Sequence, residues 1–95
     1  MQLEQQTSRG GLWREQQSEV VERSLDHLLA MAHRYRREGG VWQAMEMYWM
    51  LSEEHAGTPQ SLEARKSLLE LAETCERDDA RHLARAVYER LCELA

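Results

Sequence analysis

From about Ser18 onward, apolar residues recur at spacings of three and four: Val21, Leu25, Leu28, Ala32 and Tyr35 form one stripe. That period predicts an amphipathic helix. Gly39-Gly40 ends it, since glycine takes the left-handed conformation after a helix without steric cost. A second helix is predicted over 41–54, with Ala44, Met47, Tyr48 and Leu51 inward, closed by His55-Ala56-Gly57. Thr58-Pro59 opens a third, with threonine capping an orphan amide and proline at the first helical position. Leu62, Leu68, Leu69, Leu71, Ala72 and Cys75 carry that helix to about Arg77. Asp78 or Asp79 caps a fourth, which continues through Leu83, Ala84, Val87, Tyr88, Leu91 and Leu94. Short turns make each pair antiparallel, and no stretch alternates with period two, so no strand is expected.

The pattern is written twice. Shifted by forty residues, Leu28, Leu29, Met31, Ala32, Tyr35, Ala44, Tyr48 and Leu51 fall on Leu68, Leu69, Leu71, Ala72, Cys75, Ala84, Tyr88 and Leu91. Most of these pairs are identical. A duplicated helical hairpin is the signature of repeat architectures, which serve mainly as binding surfaces for other proteins.

These positions resemble the tetratricopeptide repeat. The first repeat supplies Leu28, Met31-Ala32, Tyr35, Gly39, Ala44, Tyr48 and Leu51, and the second Leu68, Leu71-Ala72, Cys75, Ala84, Tyr88 and Leu91. The alanines let helix backbones approach closely, and the tyrosines fill the wedge between helices. The resemblance spans roughly residues 18–94. Its period is forty rather than the family's thirty-four, Pro59 comes late, and Cys75 replaces an aromatic. The resemblance implies an all-α fold of two antiparallel hairpins, about 18–56 and 58–95, stacked as a short array. It also implies a concave groove that grips peptides, with Asp26, Leu29, His33, Arg36 and Arg37 matching Lys66, Leu69, Glu73, Glu76 and Arg77. There Arg36, Arg37 and Lys66 would pair with carboxylates while Leu29 and Leu69 meet apolar side chains. The alternative is an ordinary solvated helix face with pairs such as Glu73–Arg77.

Residues 1–17 are polar, Gln-rich and interrupted by Gly10-Gly11. They are read as a flexible arm with one anchor, Leu12-Trp13. Charged residues make up 31% and hydrophobic ones 42%, a globular balance. No apolar run is long enough for a bilayer, and the amino terminus has no secretory h-region, so a cytoplasmic protein is expected. The net charge of −5 argues against nucleic acid, since a duplex binder needs a basic stripe. Cys75 and Cys92 would lie about 20 Å apart along a hairpin, too far for a disulfide. Both are expected as small buried residues.

One asymmetry separates the copies. Trp42, Met45 and Trp49, at i, i+3 and i+7, form a second apolar stripe where the other copy has His82, Arg85 and Glu89. Something must cover that stripe. The arm could fold back through Leu12-Trp13 or Val20-Val21, a second chain could form an isologous dimer, or another protein could dock.

Catalysis has little support. His27 and His33 do not share a face well, Glu53-Glu54-His55 lacks a third convergent ligand, and Gly39-Gly40 follows a helix rather than a strand. No cofactor, metal site or enzyme activity is expected. The expectation is a non-catalytic adaptor or assembly factor that binds a partner protein or peptide, with Trp42, Met45, Trp49, Leu29, His33, Arg36, Arg37, Lys66, Leu69 and Glu73 as contacts. The alternative is a self-associating structural subunit, a homodimer or part of a larger complex.

Overall fold

The computed structural model describes the backbone of residues 2–94 and the side chains of residues 16–94. It is all-helical: α1 spans Gln2–Arg37, α2 Val41–Glu54, α3 Pro59–Arg77 and α4 Arg81–Leu94. Among the described residues there is no strand. Helices α1 and α2 form one hairpin and α3 and α4 a second, and α3 packs against both helices of the first.

The forty-residue period is visible in the backbone hydrogen bonds. After α1, the Gly40 N–H donates to the Tyr35 carbonyl at 2.7 Å and Gly39 to Arg36 at 3.3 Å. After α3, Ala80 donates to Cys75 at 2.7 Å and Asp79 to Glu76 at 3.1 Å. Each pair is a Schellman closure, which satisfies the orphan carbonyls of a helix end. Such a closure needs one left-handed residue. Gly39 supplies it at φ +89° and Asp79 at φ +64°. Asp79 thus ends α3 rather than capping α4, and it holds a conformation that aspartate tolerates better than most residues but less easily than glycine. The helices that follow, α2 and α4, are both 14 residues long.

The start of α3 also follows from its sequence. Thr58 Oγ1 accepts from the Ser61 N–H at 3.1 Å and donates to the His55 carbonyl at 2.7 Å, with Pro59 in the first turn. A side-chain cap of this kind stabilises by about 1 kcal/mol.

Two expectations need correction. Helix α1 begins at Gln2, not near Ser18, so the segment read as an arm continues the first helix of the hairpin. Gln, Glu, Leu and Arg are good helix formers, and each glycine costs only about 1 kcal/mol within a helix. The Leu12-Trp13 anchor falls outside the residues whose side chains are described. Secondly, Val21 is not inward. It is 52% exposed and Val20 61%, because this part of α1 precedes the level of Asp26 and Gln60, where the start of α3 meets it.

The core contains Leu25, Ala32, Ala44, Tyr48, Leu51, Ala64, Leu68, Leu71, Ala72 and Val87, together with Met45 and Trp49. At the contacts between helices the buried positions are often alanine or serine, Ser61 and Ser67 included. Small side chains let helix axes come close. Tyr48 is fully buried, and its hydroxyl lies 2.6 Å from His33 Nδ1, a hydrogen bond that satisfies the phenol inside the hairpin.

Candidate interaction surface

Helix α2 occupies the middle of the stack, and this decides the fate of the Trp/Met stripe. Its buried residues are Ala44, Met45, Tyr48, Trp49, Leu51 and Ser52. At 100° per residue they cover an arc of about 160°. One helix packed on a single side does not need so wide an arc; a helix packed between α1 and α3 does. Met45 and Trp49 are therefore core residues, 5% and 7% exposed, and are not available to a partner. Their cover comes from the same chain. Arg90 of α4 stacks over the Trp49 ring at 4.3 Å from its centroid, and its Nε donates to Glu53 Oε1 at 2.6 Å. That bond holds the Glu53 carboxyl below its ordinary range and pushes the Arg90 guanidinium up. Only Trp42 of the stripe remains outside, 66% exposed at the edge of the buried arc.

The difference between the copies now has a cause. His82, Arg85 and Glu89 occupy the same places on α4 as Trp42, Met45 and Trp49 on α2, but among the described residues no further helix packs there. All three are exposed, and Arg85 pairs with Glu89 at 3.0 Å. A helix packed on two sides needs two apolar faces; one packed on a single side needs one.

The residues expected along the groove divide in a similar way. Asp26 accepts from Gln60 Nε2 at 2.8 Å, and Arg36 Nη1 reaches Glu70 Oε2 at 3.2 Å. Both therefore stitch α1 to α3. His33 is half-buried on Tyr48, and Leu29 is half-buried beside the core. Arg37, Lys66, Leu69 and Glu73 stay exposed. Lys66, Leu69 and Glu73 lie on one stripe of α3 that Leu62 and Glu76 extend in both directions. Leu62 is 64% and Leu69 43% exposed, and they differ in direction by only about 20°. The spacing of Leu62 resembled a core position, but α3 buries a face centred on Ala64, Leu68 and Leu71 instead.

Beside this stripe lies an open groove between α3 and α4 of about 820 Å³, lined by Glu76, Arg81, Arg85, Tyr88, Glu89 and Cys92. Desolvation and the Glu76 and Glu73 carboxylates raise the Tyr88 phenol above its ordinary value. Cys92 is exposed rather than buried, and Cys75 is half-buried; both thiols are free.

Among the described residues no cluster of His, Cys, Asp and Glu could hold a metal ion, and no helix is long and apolar enough to cross a membrane. No protein-family model matches the chain, and neither a curated protein nor a solved structure matches it.

Proposed function

We propose that this chain is a non-catalytic protein–protein interaction module, a small tetratricopeptide-like adaptor acting in the cytoplasm. The observation that carries this reading is the exposed stripe of α3, where Leu62 and Leu69 alternate with Lys66, Glu73 and Glu76. Apolar anchors set among charges of both signs suit a surface that buries a partner helix or peptide and fixes its orientation by charge. Trp42, exposed at the start of α2, adds a large apolar contact of the type enriched at interfaces.

The stripe belongs to a rigid helix held on its other side by Ser61, Ala64, Leu68 and Ala72, so presenting it costs little conformational entropy. The second reading, a self-associating structural subunit, is favoured by the exposed apolar row of Val20 and Val21.

The test is capture from the native source with the immobilised chain and with its Lys66→Glu/Leu69→Asp variant, with matched helical content by circular dichroism. A protein retained by the wild type and lost by the variant supports the proposal. Identical recovery by both chains contradicts it.

A further inference from the structure

The duplicated unit carries its own template for a neighbour. Helix α3, packed between hairpin 1 and α4, buries Ser61, Ala64, Ser67, Leu68, Leu71 and Ala72. Forty residues earlier, the equivalent positions of α1 are Val21, Ser24, His27, Leu28, Met31 and Ala32. Ala32 is buried within its own hairpin, but Val21, Ser24 and His27 are exposed and Leu28 and Met31 half-exposed. Most of the face that α3 buries is thus uncovered on α1, with Val21, Leu28 and Met31 as its apolar members. Two shallow hollows run along it: one of about 430 Å³ at Val20, Arg23, Ser24, His27 and Leu28, and one of about 280 Å³ at Met31, Arg34, Tyr35 and Glu38.

At the other end, the groove at Tyr88 and Cys92 is the repeat equivalent of the place where Tyr48 and Ser52 are buried. Among the described residues, α1 thus carries an uncovered docking face and hairpin 2 an unfilled seat.

We propose that a second copy of this chain fills that seat head to tail, its α1 taking on hairpin 2 the position that α3 takes on hairpin 1. The register follows from the internal contacts. Asp26–Gln60 and Arg36–Glu70 join α1 to α3 at a separation of thirty-four, while the unit repeats every forty. Each α3 residue therefore faces the residue of the copy's α1 numbered forty-six lower, twice forty less thirty-four. Glu73 then faces His27, with Arg23 one turn away. Glu76 falls opposite Ala30, between His27 and Arg34. Arg81 and Arg85 of the seat are already paired with Asp79 and Glu89, and Arg34 of the docking face with Glu38. The carboxylates of Glu73 and Glu76 then meet Arg23 and His27, and this local charge complementarity favours the partner.

Arg85 and Glu89 replace Met45 and Trp49 in the second seat, so this contact is wetter than the internal one. It is reversible, and salt weakens it. The contact is heterologous and does not close on itself, so assembly grows with concentration rather than stopping at a dimer.

The inference rests on reading the α3 stripe as an interaction surface, but it has a separate readout: sedimentation velocity of the purified full chain across concentrations, at low and high salt. The wild type is expected to grow in mass with concentration and to dissociate in high salt. Glu73→Lys/Glu76→Lys on the seat and Arg23→Glu/His27→Glu on the docking face should each give monomers of unchanged helicity. A chain carrying all four substitutions should assemble again. A wild type that is monomeric throughout overturns the proposal, as does association that survives Glu73→Lys/Glu76→Lys, the outcome of a symmetric α1–α1 dimer. Failure of the fourfold variant to recover also overturns it. The capture experiment with Lys66→Glu/Leu69→Asp judges the adaptor reading separately, because a monomeric chain can still lose or keep a foreign partner.

Discussion

Exchanging each stripe residue for its counterpart forty positions later separates core from surface. Trp49→Glu installs on α2 the residue that α4 carries at position 89, and Trp42→His the residue at position 82. Trp49 is 7% exposed. Burying a tryptophan removes about 200 Å² from water, worth about 5 kcal/mol at 25 cal/mol per Å² and about 3–4 kcal/mol against a compact unfolded chain. The substitution also places a carboxylate beside Glu53, which already uses Arg90. A domain of this size has roughly 5–14 kcal/mol of total stability. Trp49→Glu should therefore remove at least about 3–4 kcal/mol, a large share of that total, and lower the urea midpoint sharply. Trp42 is 66% exposed, and Trp42→His should shift stability by no more than about 0.5 kcal/mol. Urea titration followed by far-ultraviolet circular dichroism measures both. A Trp49→Glu chain with the wild-type midpoint would refute the placement of Trp49 in the core.

Other outcomes follow from single contacts. Asp79→Gly should stabilise by about 0.5–1 kcal/mol, because Asp79 holds φ +64° and its exposed pairing with Arg81 contributes little; thermal melts should rise by several degrees. Ser61→Ala should be neutral or stabilising by up to about 1 kcal/mol, since Ser61 Oγ is buried without a hydrogen-bond partner; a drop in melting temperature would show that the hydroxyl is satisfied. Arg90→Gln should cost about 1 kcal/mol near neutral pH, from the Trp49 stack and the exposed Glu53 pair together. Arg90 lowers the Glu53 carboxyl from its ordinary value of 4.5, so the pair's stabilisation is present above that value and is lost as pH falls through the lowered one. The gap between wild type and variant in urea should narrow on acidification.

The hairpins and their ends were legible in the sequence because local chemistry decides them. Gly39 at the left-handed position, Thr58-Pro59 at a helix start and the three-and-four spacing of apolar residues act within a few residues of themselves. The stripe misled because a helical wheel shows how wide the apolar arc is, not what stands against it. Trp49 looked like a surface in need of a partner, and its partners are α3 and Arg90, brought from as far as 41 positions away. Asp26 and Arg36 were matched to a ligand groove but are spent on Gln60 and Glu70, which only the packing of α1 on α3 places opposite them. Leu62 lies about 120° around α3 from the buried Leu68 and only about 20° from the exposed Leu69, so its outward position follows from the helical period itself.

The most direct measurement is a nuclear Overhauser spectrum of the chain diluted until it sediments as a monomer. Two stacked hairpins that complete their own core require contacts between the Trp49 indole and the Arg90 side chain within that monomer, and none between Arg90 and Trp42. Indole contacts for Trp49 that appear only when chains associate would contradict it.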